Sequence, residues 1–225
     1  MNKVLNKMER KIGRFAVPNL MRYIVMGMGI FYILAFVFPG TIELMGQKTS
    51  YVSILELDWE AVLNGQVWRL FSFIFSPPMS SPLFIIFTLF FYYFIGNSVE
   101  SQWGAFRFNL YYVLGMLLTI GGAMISGYAT SAFLNYSLYL AFAMLFPEHE
   151  IRMFFVLPIK MKYLGVAVFA LFIYTFFIGT LTDRTSIAAA LLTLFIFCGE
   201  DLILKWKVRI KTSATRRNFK KNMKK

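Results

Sequence analysis

Residues 83–125 read LFIIFTLFFYYFIGNSVESQWGAFRFNLYYVLGMLLTIGGAMI. Across these 43 positions there are two charges, Glu100 and Arg107. Two apolar runs, 83–95 and 108–125, flank a short polar break that holds Gly96, Glu100 and Gly104. Each run approaches the ~20 residues that an α-helix needs to cross a bilayer core. The break is too short for anything but a turn. The segment therefore predicts two membrane helices folded back on each other.

Four more runs of the same kind flank this pair, at 23–37, 132–146, 163–181 and 187–204. The expected fold is all-α: a polytopic membrane protein of six transmembrane helices. Composition agrees. The chain is 58% hydrophobic, holds 26 Phe and is only 15% charged, more apolar surface than one soluble core hides. Residues 1–22 are basic and carry no apolar core, so the first run reads as a retained span rather than a signal peptide.

The basic residues set the orientation. With six spans, 20 of the 23 Lys and Arg fall on the side of both termini, and only Lys48, Arg69 and Arg184 fall on the other. The positive-inside rule then puts both termini in the cytoplasm. Trp59, Trp68, Trp103 and Trp206 all flank spans, as interface anchors do. The net charge of +12 is thus a topology device, and nucleic acid is not an expected partner. The chain divides into a cytoplasmic basic interfacial arm at 1–22, a six-helix membrane domain at 23–204 and a cytoplasmic polybasic tail at 205–225. Within the arm, Val4, Met8, Ile12 and Phe15 recur every three to four residues between basic ones, which predicts a helix lying on the leaflet. The tail is expected to rest on anionic lipid. A bacterial plasma membrane is the expected location.

The loop at 41–81 is the one large segment between spans. Its apolar residues, from Tyr51 through Phe75, are too many for a solvated loop and too interrupted to span, so it is expected to sit half-embedded in the outer leaflet.

Chemistry is scarce. Cys198 is the single cysteine, so no internal disulfide forms. His149 is the single histidine and lies in a charged break between runs four and five. No metal site of ordinary composition and no cofactor are expected. No ionisable residue falls in mid-span, which argues against the small-solute transporter, the second alternative considered.

Two strings resemble the rhomboid family of intramembrane serine proteases. One is Gly65-Gln66-Val67-Trp68-Arg69-Leu70-Phe71 in the long loop. The other is Gly96-Asn97-Ser98-Val99-Glu100 followed by Gly104, Arg107, Phe108 and Tyr111. The resemblance implies a rhomboid-like bundle in which Trp68 and Arg69 stabilise the first loop. Arg69, with five donors in a fixed fork, suits a loop whose carbonyls lack water. Glu100 can pair with Arg107 or accept backbone N–H groups across the turn.

The same resemblance exposes what is missing. Family members place a nucleophilic Ser in span four, a His in span six, and a His and Asn in span two. Here Ser137 lies nearest the nucleophile position, with Asn135 where Gly is usual. The span-two pair falls on Phe84 and Thr88, and span six offers Ser186, Ala189 and Ala190 but no His. His149 is expected on the cytoplasmic side, away from Ser137. No residue is therefore assigned to catalysis. The leading expectation is a pseudoprotease that binds transmembrane client proteins without cleaving them, with lipid and client helices as partners. An active serine endopeptidase with an atypical site is the alternative.

Overall fold

A computed structural model describes residues 2–38, 40–44, 47–78, 80–153 and 157–199. It opens with α1 (Asn2–Ile12) and a 3-10 turn, then α2 (Leu20–Val37). A hairpin of β1 (Thr41–Leu44) and β2 (Gln47–Ser50) follows, then β3 (Leu57–Asp58), α3 (Trp59–Leu63) and α4 (Arg69–Ser72). The remaining long helices are α5 (Pro82–Trp103), α6 (Ala105–Ser126), α7 (Ala132–Leu145), α8 (Met161–Ile178) and α9 (Leu181–Gly199). Strand β4 (Tyr128–Ala129) lies between α6 and α7, and β5 (Glu150–Met153) pairs with β6 (Leu157–Lys160) between α7 and α8.

Five helices, α2, α5, α6, α8 and α9, are long and apolar enough to cross a membrane. The chain is a polytopic helical membrane protein. The fourth expected span is the exception. Helix α7 has 14 residues, ~21 Å at 1.5 Å per residue, against a hydrocarbon core of ~30 Å. Local chemistry sets both of its ends. Strand β4 pairs with β3 just before it, which fixes where it starts. Pro147 follows its last turn and biases Phe146 out of the helical region. Eight of its 14 residues are buried, so α7 sits inside the bundle and its neighbours supply the surroundings that lipid gives a full span.

The helices run between two sides, and contacts identify each. On one side, Glu100 at the end of α5 binds the start of α2, Arg107 on α6 meets Glu9 on α1, and His149 lies against Phe94 and Phe142. On the other, β3 pairs with β4, Ser131 reaches Ser76, and Thr185 at the start of α9 meets Ser126 at the end of α6. The order is up-and-down.

The core is a central cluster of Met21, Ile24 and Met28 on α2, Tyr92, Ile95 and Val99 on α5, Tyr111 and Tyr112 on α6, and Leu134, Leu138 and Phe142 on α7. Met21, Ile24 and Met28 recur at helical spacing, so α2 presents one stripe inward. Its other faces, with Tyr23, Met26, Ile30 and Ile33 exposed, suit lipid. Gly96 lets α2 and α5 approach: a Cβ there would lie 2.6 Å from Met21 Cβ. Gly104 adopts φ +84°, closed to most L-residues, and is the single residue between α5 and α6.

Candidate functional site

Ser137 lies one and a half turns into α7 and is fully buried. Its hydroxyl donates to Leu134 O at 2.6 Å. Tyr111 Oη stands 2.6 Å from Ser137 Oγ. Because the serine proton is spent on Leu134, the phenol is the donor of that second bond. Ser137 is thus a satisfied hydroxyl. A neutral phenol that donates to it cannot also take its proton, so neither partner among the described residues activates the oxygen as a nucleophile.

A second polar string runs beside it. Tyr112 Oη donates to Asn135 Oδ1 at 3.1 Å, Asn135 Nδ2 to Ser131 Oγ at 3.5 Å, and Ser131 Oγ to Ser76 O at 3.4 Å. Asn135, Ser131 and Ser76 are all buried. The string joins α6 and α7 to the Ser76-Pro77-Pro78 end of the long loop. Burial makes each such bond hard to forgo, since an orphaned group there is poorly reached by solvent.

The positions that the resemblance assigns to other catalytic groups hold none. Phe84 faces outward, and Thr88 Oγ1 donates to Phe84 O of its own helix at 2.9 Å. On α9, Ser186, Ala189 and Ala190 are buried, and Thr193 Oγ1 donates to Ala189 O. His149 is exposed, with its ring 5.8 Å from that of Phe94 and 5.9 Å from that of Phe142. It follows α7, so at least ~12 Å of helix separates it from Ser137. Asp183 and Arg184 lie in the first turn of α9 and not in the turn before it; Asp183 accepts from the N–H and hydroxyl of Thr180, and Arg184 donates to Phe177 O, so both tie that turn. Among the described residues, no group of three or more His, Cys, Asp or Glu side chains is placed to hold a metal ion.

The long loop between α2 and α5 is organised around Arg69, which is 5% exposed. Its Nη1 donates to Ser53 O at 2.5 Å and Glu56 O at 2.8 Å, and its Nε donates to Gln66 Oε1 at 2.7 Å. Ser72 Oγ adds a bond to Leu55 O. Burial lowers the pKa of Arg69, while Asp58 and Glu56 act to raise it. Gly65 takes φ +97° just before, turning the chain from α3 toward α4. Trp68, 38% exposed, borders this knot rather than filling it. Asp58 caps α3 by accepting from Ala61 N at 3.2 Å.

On the other side, Glu100 does accept backbone N–H groups, but not those of its own turn. Its two oxygens receive Asn19 N at 2.6 Å and Leu20 N at 3.2 Å. These are the free donors at the start of α2, where the helix dipole also favours a carboxylate. Asn19 sits in the left-handed region, which turns the chain into that clasp. Arg107 instead approaches Glu9 at 3.7 Å. The basic tail at 205–225 lies outside the described residues.

Glu148 ties the α7–α8 connection. It accepts from Lys162 Nζ at 2.7 Å and Lys160 Nζ at 2.9 Å. Those two ammonium groups, Lys162 foremost, draw its pKa from the ordinary 4.5 to about 2. The folded value is depressed, so the tie is complete above the ordinary carboxylate range and is lost as pH falls toward 2. A carbon-detected NMR titration of the Glu148 carboxyl is expected to show this low midpoint. The double change Lys160→Gln with Lys162→Gln should return it to the ordinary range. A normal midpoint in the unaltered chain would refute the tie.

Sequence reasoning placed Tyr111 only in the string that resembles the family, without a partner, and missed Tyr112 and Ser131. The signal was present: Ser131 and Asn135 are four apart on one face, and two adjacent tyrosines interrupt an apolar run. No protein-family profile matches this chain, and no curated protein matches it.

Proposed function

We propose that this chain is a rhomboid-like membrane protein without proteolytic chemistry, which binds transmembrane helices of client proteins. Ser137 carries the reading. It is buried, donates to Leu134 O and accepts from Tyr111, with no base in reach among the described residues. The Arg69 knot and the Glu100 clasp support a structural use of the two strings that resemble the family. In this reading α7 is the short fourth member of a six-helix bundle. Both termini face the cytoplasm of a bacterial cell, as the 20-to-3 distribution of basic residues supports.

The client surface is the outward face of α5. Phe84, Ile86, Phe87 and Phe90 stand exposed along it, while Tyr92 is buried and Phe91 packs on Tyr139 with ring centroids 5.2 Å apart. Large apolar side chains in a lateral row can pack against lipid or against another helix. A photo-crosslinking residue at Phe90 distinguishes the two. Capture of one discrete membrane protein in the native membrane supports the proposal, and capture of lipid alone overturns it.

If Ser137 serves packing, its removal should register as stability. Ser137→Ala leaves the Tyr111 hydroxyl buried without its acceptor, a loss of ~1–2 kcal/mol. Tyr111→Phe should cost a similar amount. The pair together should cost less than the sum, because the second change removes a group already orphaned. Unfolding titrations in detergent measure all three. Strict additivity would show that the two hydroxyls do not depend on each other.

A further inference from the structure

Helices α7, α8 and α9 line a cavity of about 860 Å³, open along one side, that no part of the reading above uses. Ala143 on α7, Val166 and Phe169 on α8, and Ala188 and Leu192 on α9 are among its walls. Every lining residue is apolar except Lys162, at the first turn of α8. We propose that this cavity holds an acyl chain of an anionic phospholipid, with the headgroup phosphate at Lys162.

From Lys162 to Phe176 the cavity follows 14 residues of α8, ~21 Å. Its volume falls in the range of small-molecule sites. An apolar trough with one cation at its end matches the build of a phospholipid, an apolar chain behind a charged head.

Charge selects the headgroup. The segment 147–162 carries three basic residues, Arg152, Lys160 and Lys162, against Glu148 and Glu150. Glu148 is shared between two ammonium groups and is itself well exposed. A lipid phosphate can therefore replace it on Lys162 and gain a charge-assisted bond. This mouth opens on the same side as the basic N-terminal arm, where Arg107 of α6 meets Glu9 of α1. Helix α8 buries only Met161 and Phe172 among its 18 residues, so little protein covers the cavity from outside.

The test is native mass spectrometry of the full chain, delipidated and exposed to equal amounts of phosphatidylglycerol and phosphatidylcholine. The unaltered protein is expected to retain phosphatidylglycerol about fivefold over phosphatidylcholine, the worth of one basic residue at a lipid surface. Lys162→Gln should bring that ratio near one. Ala188→Trp should fill the cavity and lower retention of both lipids; if it fails to fold, Leu192→Trp, on an exposed wall position, replaces it. Equal retention of the two lipids by the unaltered chain would overturn the proposal. So would a preference that survives Lys162→Gln, or a bulky variant that retains as much lipid as the original.

Discussion

Arg69→Ala is expected to destabilise the protein by ~3–5 kcal/mol, more than any other single change in the long loop. The alanine removes one cation and with it the donor that joins three acceptors, Ser53 O, Glu56 O and Gln66 Oε1. The guanidinium is only 5% exposed, so water replaces it poorly. Each orphaned acceptor costs ~1–3 kcal/mol, partly relieved as the loop opens. Arg69→Lys keeps the charge but not the planar fork, and should recover less than half of the loss. Limited proteolysis provides a local readout, with cleavage within 50–76 before the helices unfold. A loss below ~1 kcal/mol would show that the loop has another organising contact.

Glu100→Ala should cost ~2–4 kcal/mol, and its effect should appear 80 residues away in sequence. The carboxylate receives two N–H groups at the head of α2 and faces the positive end of that helix. Helix α2 has few other restraints, since it buries only Met21, Ile24 and Met28. Glu100→Gln keeps an acceptor and loses the charge, so about half of the effect is expected. Hydrogen exchange at Asn19 and Leu20 should accelerate in both variants. Unchanged exchange there would mean that the clasp does not hold the helix.

The long helices were legible because lipid imposes one simple rule: an uninterrupted apolar run of sufficient length. The expected runs at 83–95 and 108–125 fall inside α5 and α6, and the boundary at 132 was met by α7. Pairings at long range were not legible. Strands β3 and β4 join Leu57 to Ala129, and two residues per strand leave no alternating pattern to read. Glu100 finds its donors at Asn19 and Leu20, and backbone N–H groups carry no mark in a sequence. For the same reason the arm was drawn to residue 22, whereas α2 starts at Leu20, where the clasp fixes it. The role of Arg69 was legible because a buried guanidinium must collect acceptors. Ser137 was placed by its neighbours in span four, but Tyr111 was not foreseen as its partner, because tyrosines in membrane proteins usually mark the interface.

The claim that Ser137 is a packing hydroxyl and not a nucleophile is tested most directly by a fluorophosphonate probe on the purified protein in detergent. No label above that of Ser137→Ala is predicted, since the oxygen is buried and bound at both its proton and its lone pair. Stoichiometric labelling of the unaltered chain that disappears in Ser137→Ala would contradict it.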